Sequence, residues 1–311
     1  MIDLTSRKYI LAPMSGITHA AFRKLVDEEG GCDILCTEML SARAVLRESP
    51  RHSPYAIHIP VSSPVVAQIV GNDPVVMADA GEKLLSLFVD GIDINMSCPA
   101  PKILKSGWGA GLMGRRELAV SVIREVRRRV GGFLSVKLRV GEDWNAENLL
   151  SFAQMVEDEG VDAVILHPRV FSQKFRGNSR WEYIKMLKEN LSIPVVGSGD
   201  VFSPMDAESM FNETGADAVM IGRGAVIRPW IFRLIKGGEE PQDKGRIALR
   251  FVELLEEYFP EERILGRVKQ FITWYSEGFF FGHTLRKWVQ RARAVEEAKQ
   301  YIRRFFYGQR G

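Results

Sequence analysis

The sequence predicts a (β/α)8 barrel followed by a small all-α C-terminal domain, and three observations predict it. Eight short apolar runs recur through the first 230 residues, stretches with helical spacing separate them, and strand-like runs stop after Pro241. Near-continuous apolar strands alternating with helices imply a parallel sheet covered by helices. Eight such units in that length suit a closed barrel better than an open sheet.

The strands are read, in order, at 9–12, 34–37, 65–70, 91–96, 133–138, 163–167, 195–197 and 218–221. Between them AFRKLVDEEG, ELAVSVIREVRRRV, ENLLSFAQMVEDEG and PMDAESMFNETG place apolar residues three and four apart, as one face of a helix requires. Several close on the glycine that commonly ends a helix. RIALRFVELLEEYF, GRVKQFITWYSEG and TLRKWVQRARAVEEAKQYIRRFF continue with helical spacing only. The glycine-, proline- and charge-rich KGGEEPQDKG marks the change. The expected division is a barrel over 1–240 and a basic helical domain over 241–311.

Composition bounds the function. The chain has 311 residues, 46% hydrophobic and 26% charged, the make-up of an ordinary globular protein. It holds no uncharged apolar run of ~18 residues, the length a membrane span needs, and MIDLTSRKYI has no signal-peptide pattern. Three cysteines are too few for a disulfide framework, and Cys32 and Cys36 lack the histidine neighbours of a zinc site. A cytoplasmic protein without metal or membrane partner is expected. Residues 1–243 carry 28 Lys+Arg against 31 Asp+Glu, whereas 244–311 carry 14 against 8. The basic tail is either a solvated helical face or a polyanion-binding surface.

In such barrels function collects where strands end. Those positions hold Pro13, Met14 and Ser15, then Glu38, Gln68, Asn95 and Cys98, then Lys137, Arg139, His167 and Arg169. Two glycine turns follow the seventh and eighth runs: Ser198, Gly199 and Asp200, then Gly222, Arg223 and Gly224. This pair of turns is where the fold usually cradles a phosphate on backbone N–H groups, with Arg223 adding a charge-assisted contact; the alternative is two tight turns. Lys137, inside the apolar SVKLRV, is costly without an anion or acceptor. A flavin edge would supply acceptors, shared with Gln68; a salt bridge, for example to Glu38, is the other reading. Cys98 ends a strand and precedes Gly107, Gly109 and Gly111, a loop read as a mobile gate. A thiol placed so serves as nucleophile or general acid.

These residues lie in motifs that resemble the tRNA-dihydrouridine synthases, FMN-dependent enzymes that reduce uridine in RNA. The resemblance runs through APMSGIT (12–18), TEMLSA (37–42), QIVGNDP (68–74), DINMSCPAPK (93–102), VKLRVG (136–141), LHPR (166–169), GSGDVFSPMDA (197–207) and MIGRGAVIRPWIF (220–232). RVKQFITWY (267–275) and the later LRK (285–287) resemble the family's helical RNA-binding domain. The resemblance implies FMN at the barrel mouth, contacted by Pro13, Met14, Ser15, Gln68, Lys137, His167, Ser198, Gly199, Asp200, Gly222 and Arg223. It implies hydride transfer from flavin N5 to uracil C6, protonation of C5 by Cys98, and reloading of the flavin by NADPH. Asn95 and Arg139 are the candidates to hold the base, and Lys269 and Arg286 to hold tRNA. A gate is expected because a stacked base must be flipped out to reach a barrel mouth.

His19, Ser97, Pro168 and Ser198 depart from the family pattern, and 49–64 is rich in proline. The rival readings are a dihydroorotate dehydrogenase-like enzyme acting on a free pyrimidine, which would not need the basic tail, and a non-catalytic RNA-binding relative.

Overall fold

The computed structural model describes residues 2–49, 53–55, 57, 59–87, 89–174 and 176–308. Its strands are β1 (Tyr9–Leu11), β2 (Ile34–Cys36), β3 (Leu40–Ser41), β4 (Val65–Val70), β5 (Gly91–Met96), β6 (Phe133–Gly141), β7 (Ala163–Val170), β8 (Val195–Ser198) and β9 (Ala218–Ile221). Every pairing is parallel. The order β2-β1-β9-β8-β7-β6-β5-β4 is closed by pairing of β2 with β4. That is a (β/α)8 barrel, and its eight strands fall on the eight expected runs. The extra strand β3 is a two-residue addition beside the end of β4, with Leu40 opposite Ile69. Two residues are too short to show a period, so the sequence does not announce it.

Closure explains why the runs are so apolar: each strand packs outward on helices and inward on other strands. Ile10, Ala12, Ile34, Cys36, Val66, Ile165, Val196 and Met220 fill the interior, joined by Ile2 and Leu4. The two-residue period puts Ser135, Lys137 and Arg139 on one face of β6, and Asn95 lies opposite Lys137 in the ladder. Strands β6 and β7 run three residues past the expected ends, with a register shift between Arg139 and Gly141. The extension keeps Arg139 and Arg169 within the β strands.

Beyond the barrel lie helices at Lys244–Tyr258, Ile264–Tyr275, Gly282–Arg291 and Val295–Tyr307. Asp243 caps the first, accepting from the Arg246 N–H at 2.8 Å. Phe251 of that helix lies edge-on to Phe22 of the barrel helix Ala20–Glu28, and its ring centroid is 4.1 Å from that of Phe271. The buried cluster is therefore continuous from Leu11 through Phe251 to Ile302. Two of the four family departures are structural here. His19 is buried against Phe251 and Phe259, and Pro168 sits inside β7, where its carbonyl accepts from Arg180. The proline-rich stretch 49–64 lies partly outside the described residues. No helix among the described residues is long and apolar enough to cross a membrane.

Candidate active site

A cavity of about 390 Å³ opens at the C-terminal ends of the strands. All eleven residues expected to hold a cofactor line it, together with Cys98, Asn95 and Arg139. Its floor is a buried polar chain. Asp93 accepts from Ser135 Oγ and from Gln68 Nε2, each at 2.7 Å. Gln68 Oε1 accepts from Asn95 Nδ2 at 2.8 Å. Asn95 Oδ1 then accepts the backbone N–H of Ser97 at 3.1 Å and of Cys98 at 3.0 Å. Buried polar groups demand such partners, and the outcome here is that one strand residue fixes the backbone of the thiol. Asn95, a candidate to hold the base, lines the cavity and also positions Cys98 through its Oδ1.

Lys137 is buried beside this chain. Burial and the nearby Arg139 pull its ammonium below the usual lysine range, opposed by the charges of Asp93, Cys36 and Cys98. Burial pushes the Asp93 carboxyl up, against the hydrogen bonds of Gln68 and Ser135 and the charge of Lys137. Glu38, the alternative partner for Lys137, turns elsewhere: its Oε2 accepts the Gly16 N–H at 2.7 Å. The carboxylate whose charge acts on Lys137 is Asp93. Arg139 donates to the carbonyls of Val170 at 3.4 Å and Lys174 at 3.0 Å. Burial, then Arg169, lowers it to about 10.

On the opposite wall, the turn after β8 is braced from β7. Arg169 donates to both Asp200 oxygens at 2.7 Å and to His167 Nε2 at 2.9 Å. A guanidinium can only donate, so the ring proton of neutral His167 is on Nδ1. Burial, then the cations Lys137, Arg139, Arg169 and Arg223, holds that imidazole well below its ordinary range and keeps it neutral. Asp200 also accepts from Arg223 at 2.8 Å and from the Ser179 N–H at 2.7 Å. Burial would raise its carboxyl, but these partners outweigh burial and hold it low. The carboxylate of Asp200 thus orients the two arginines, and Arg223 is pinned over the Phe202 ring. Gly199 has φ +117, and a Cβ there would lie 2.9 Å from the His167 ring; a Cβ on Gly224 would lie 2.2 Å from the Val201 carbonyl. Both glycines are required by close approach.

The loop after Cys98, expected to act as a mobile gate, has regular structure of its own. It folds into a short helix, Pro101–Lys105, and a 3-10 turn, Gly109–Leu112, with Ala110 and Leu112 fully buried. The Ala110 N–H donates to the Cys98 carbonyl, and Trp108 Nε1 donates to Asn72. Gly107 and Gly109 have positive φ, and a Cβ on Gly109 would lie 2.9 Å from the Cys98 carbonyl oxygen. These glycines answer to packing behind the thiol.

Two cavity residues come from the C-terminal helices: Gln270 and Trp274 on Ile264–Tyr275. The sequence singles out neither as a cavity residue. Sequence reasoning also missed Asp93, although Asp93 and Asn95 share a strand face and the two-residue period signals both. Lys269 and Arg286 do not line the cavity. Among the described residues there is no cluster suited to a metal ion.

This geometry defines the class: a (β/α)8-barrel enzyme with its reactive groups gathered at the strand ends. The dihydrouridine synthase family model matches residues 10–307, and the chain belongs to that family. It is 32% identical to the probable tRNA-dihydrouridine synthase 1 of Synechocystis sp., over 96% of this chain and 87% of the relative. It is 31% identical to tRNA-dihydrouridine synthase B of Pseudomonas aeruginosa, over 96% and 92%. Among solved structures, morphinone reductase superposes with a TM-score of 0.54 at 11% identity, covering 79% of this chain and 91% of its own. That likeness concerns the fold.

Proposed function

We propose that this chain reduces uridine to 5,6-dihydrouridine in tRNA, with FMN held in the rim cavity and NADPH as reductant. The observation that carries the reading is the placement of Lys137, a buried ammonium influenced by neighbouring charges and by burial, beside Cys98 in one cavity. The residues fit a flavin mononucleotide. Lys137 and the Gln68 amide offer donors to a ring edge, and the turns at Ser198–Asp200 and Gly222–Gly224, with Arg223, offer donors to a phosphate. Pro13, Met14, Ser15 and His167 complete the wall. With FMN bound there and reduced, its chemistry would be hydride delivery to uracil C6.

The chain's own part is the proton. Cys98 donates it to C5, so the C5–C6 double bond takes up a hydride and a proton and becomes saturated. The thiolate left behind faces Lys137 and Arg139, both close enough to feel its charge. Asn95 holds the Cys98 backbone through this step, and Arg139 on the cavity wall is the candidate to hold the base. The basic helical region, taken as residues 241–311, binds the RNA, with Lys269 and Arg286 on phosphates. The names of the relatives support tRNA as substrate, and a cytoplasmic reaction follows from that substrate.

The test is the visible spectrum of the purified protein under anaerobic conditions. Flavin bands that bleach with NADPH and return on addition of unmodified tRNA support the reading. A return with orotate alone, or protein that stays colourless with added FMN, overturns it.

A further inference from the structure

Phe280 is 95% exposed and Phe281 74% exposed. Adjacent Phe279 shows the ordinary fate of such a ring, packed edge-on against Tyr275 at 5.0 Å and Phe306 at 5.1 Å. The outward pair is held out by its backbone. Phe281 has φ +58, a conformation that bulky residues rarely adopt. A Cβ on the next residue, Gly282, would lie 1.7 Å from the Ser276 carbonyl, so the chain is drawn tight under the two rings.

The surroundings are mainly basic, with Glu277 the carboxylate just ahead of the rings. From 279 to 293 the chain carries Arg286, Lys287, Arg291 and Arg293 and no carboxylate. All four cations are exposed, and none forms a salt bridge among the described residues. Elsewhere in the helical region Arg246, Arg250, Lys299 and Arg303 are paired with glutamates. The ring-bearing loop also adjoins the cavity. The turn before it, Ser276–Gly278, meets Ile227 of the helix that begins at Arg223, and Trp274 of the cavity wall is six residues from Phe280, at most roughly 22 Å along the chain.

We propose that Phe280 and Phe281 form a stacking platform for unpaired bases of the RNA whose uridine enters the cavity, with the four unbridged cations on the adjoining phosphates. Exposed rings interleaved with such cations are what single-stranded nucleic acid recognises, because every base has a π-face to stack. The inference rests on the proposed RNA substrate.

The experiment measures binding of an unmodified tRNA transcript to the full chain by fluorescence anisotropy over a range of salt. Phe280→Ala and Phe281→Asn, which tolerates the left-handed backbone, are each expected to raise Kd roughly tenfold. The salt slope should stay as it is, since stacking releases no counterions. Phe280→Tyr keeps the ring and should bind within about twofold of the parent. An unchanged Kd in Phe280→Ala overturns the platform. So does a variant that alters only self-association of the protein. Dihydrouridine formation by the unsubstituted chain is scored separately: its absence sinks the enzymatic reading, whereas its presence with unchanged variants sinks only the platform.

Discussion

At the cavity floor Asp93 takes Gln68 and Ser135, Gln68 takes Asn95, and Asn95 takes two backbone amides at Cys98. On the helical surface nearby, Arg286, Lys287, Arg291 and Arg293 reach water without a salt bridge among the described residues. The contrast teaches a division of labour. A buried polar group left unpaired costs about 1–3 kcal/mol, so the floor is over-determined and suited to placing a thiol. An exposed cation costs little and keeps its charge for a polyanion, where it acts through counterion release. By this account the floor sets the rate and the helical surface sets the affinity.

The largest expected effect is at the floor. Cys98→Ala should slow dihydrouridine formation by roughly 10²-fold or more, the scale for losing a general acid, while flavin content by absorbance is unchanged. Undiminished turnover would remove Cys98 from the chemistry. Next, Asn95→Ala strips partners from two amides and from Gln68, and should lower stability by about 1–3 kcal/mol. Turnover should fall with it, even at saturating RNA; a normal rate in a folded Asn95→Ala protein would separate the network from the thiol.

The seam between the two regions gives a pH effect. Burial, then Arg267 and Arg23, depresses the His19 imidazole well below its ordinary range, and neither ring nitrogen has a hydrogen-bond partner among the described residues. Below pH ~6.5 the unfolded chain binds this proton and the folded one does not, so stability falls as pH falls, by up to about 2 kcal/mol at pH 5. His19→Leu should flatten that slope in denaturant titrations at pH 5 and 7. An identical slope would mean that His19 takes up its proton in the fold.

Smaller effects sharpen the rim side. Reversing charge at Lys269 and Arg286 together should weaken tRNA binding by about tenfold and reduce the salt slope by about one for each phosphate no longer neutralised. Arg250, already paired with Glu28, Glu253 and Glu257, is the counterpart. Arg250→Ala should cost no more than about 1 kcal/mol of stability and leave RNA affinity alone. Equal losses of affinity at both places would erase the distinction between bridged and unbridged cations.

Much of the fold is legible in sequence because a closed parallel barrel buries its strands on both faces, which leaves eight apolar runs in plain view. The exact ends of β6 and β7 are not, since the apolar runs stop at 138 and 167 while the strands continue to Gly141 and Val170 through Arg139, Pro168 and Arg169. The glycines after Cys98 are visible, but their purpose is not: positive φ and close approach read the same in sequence as a hinge. The partners of Lys137 and Asn95 depend on strand register. Gln270 and Trp274 carry no local signal, because their place at the cavity follows from how a distant helix docks.

The most direct measurement is the single-turnover rate of dihydrouridine formation as a function of tRNA concentration for Cys98→Ala, set beside the unsubstituted chain. The expected result is a plateau rate lower by roughly 10²-fold or more with the half-saturating tRNA concentration unchanged. A normal plateau with a shifted half-saturation point would contradict it, and would move Cys98 from the chemistry to the binding of RNA.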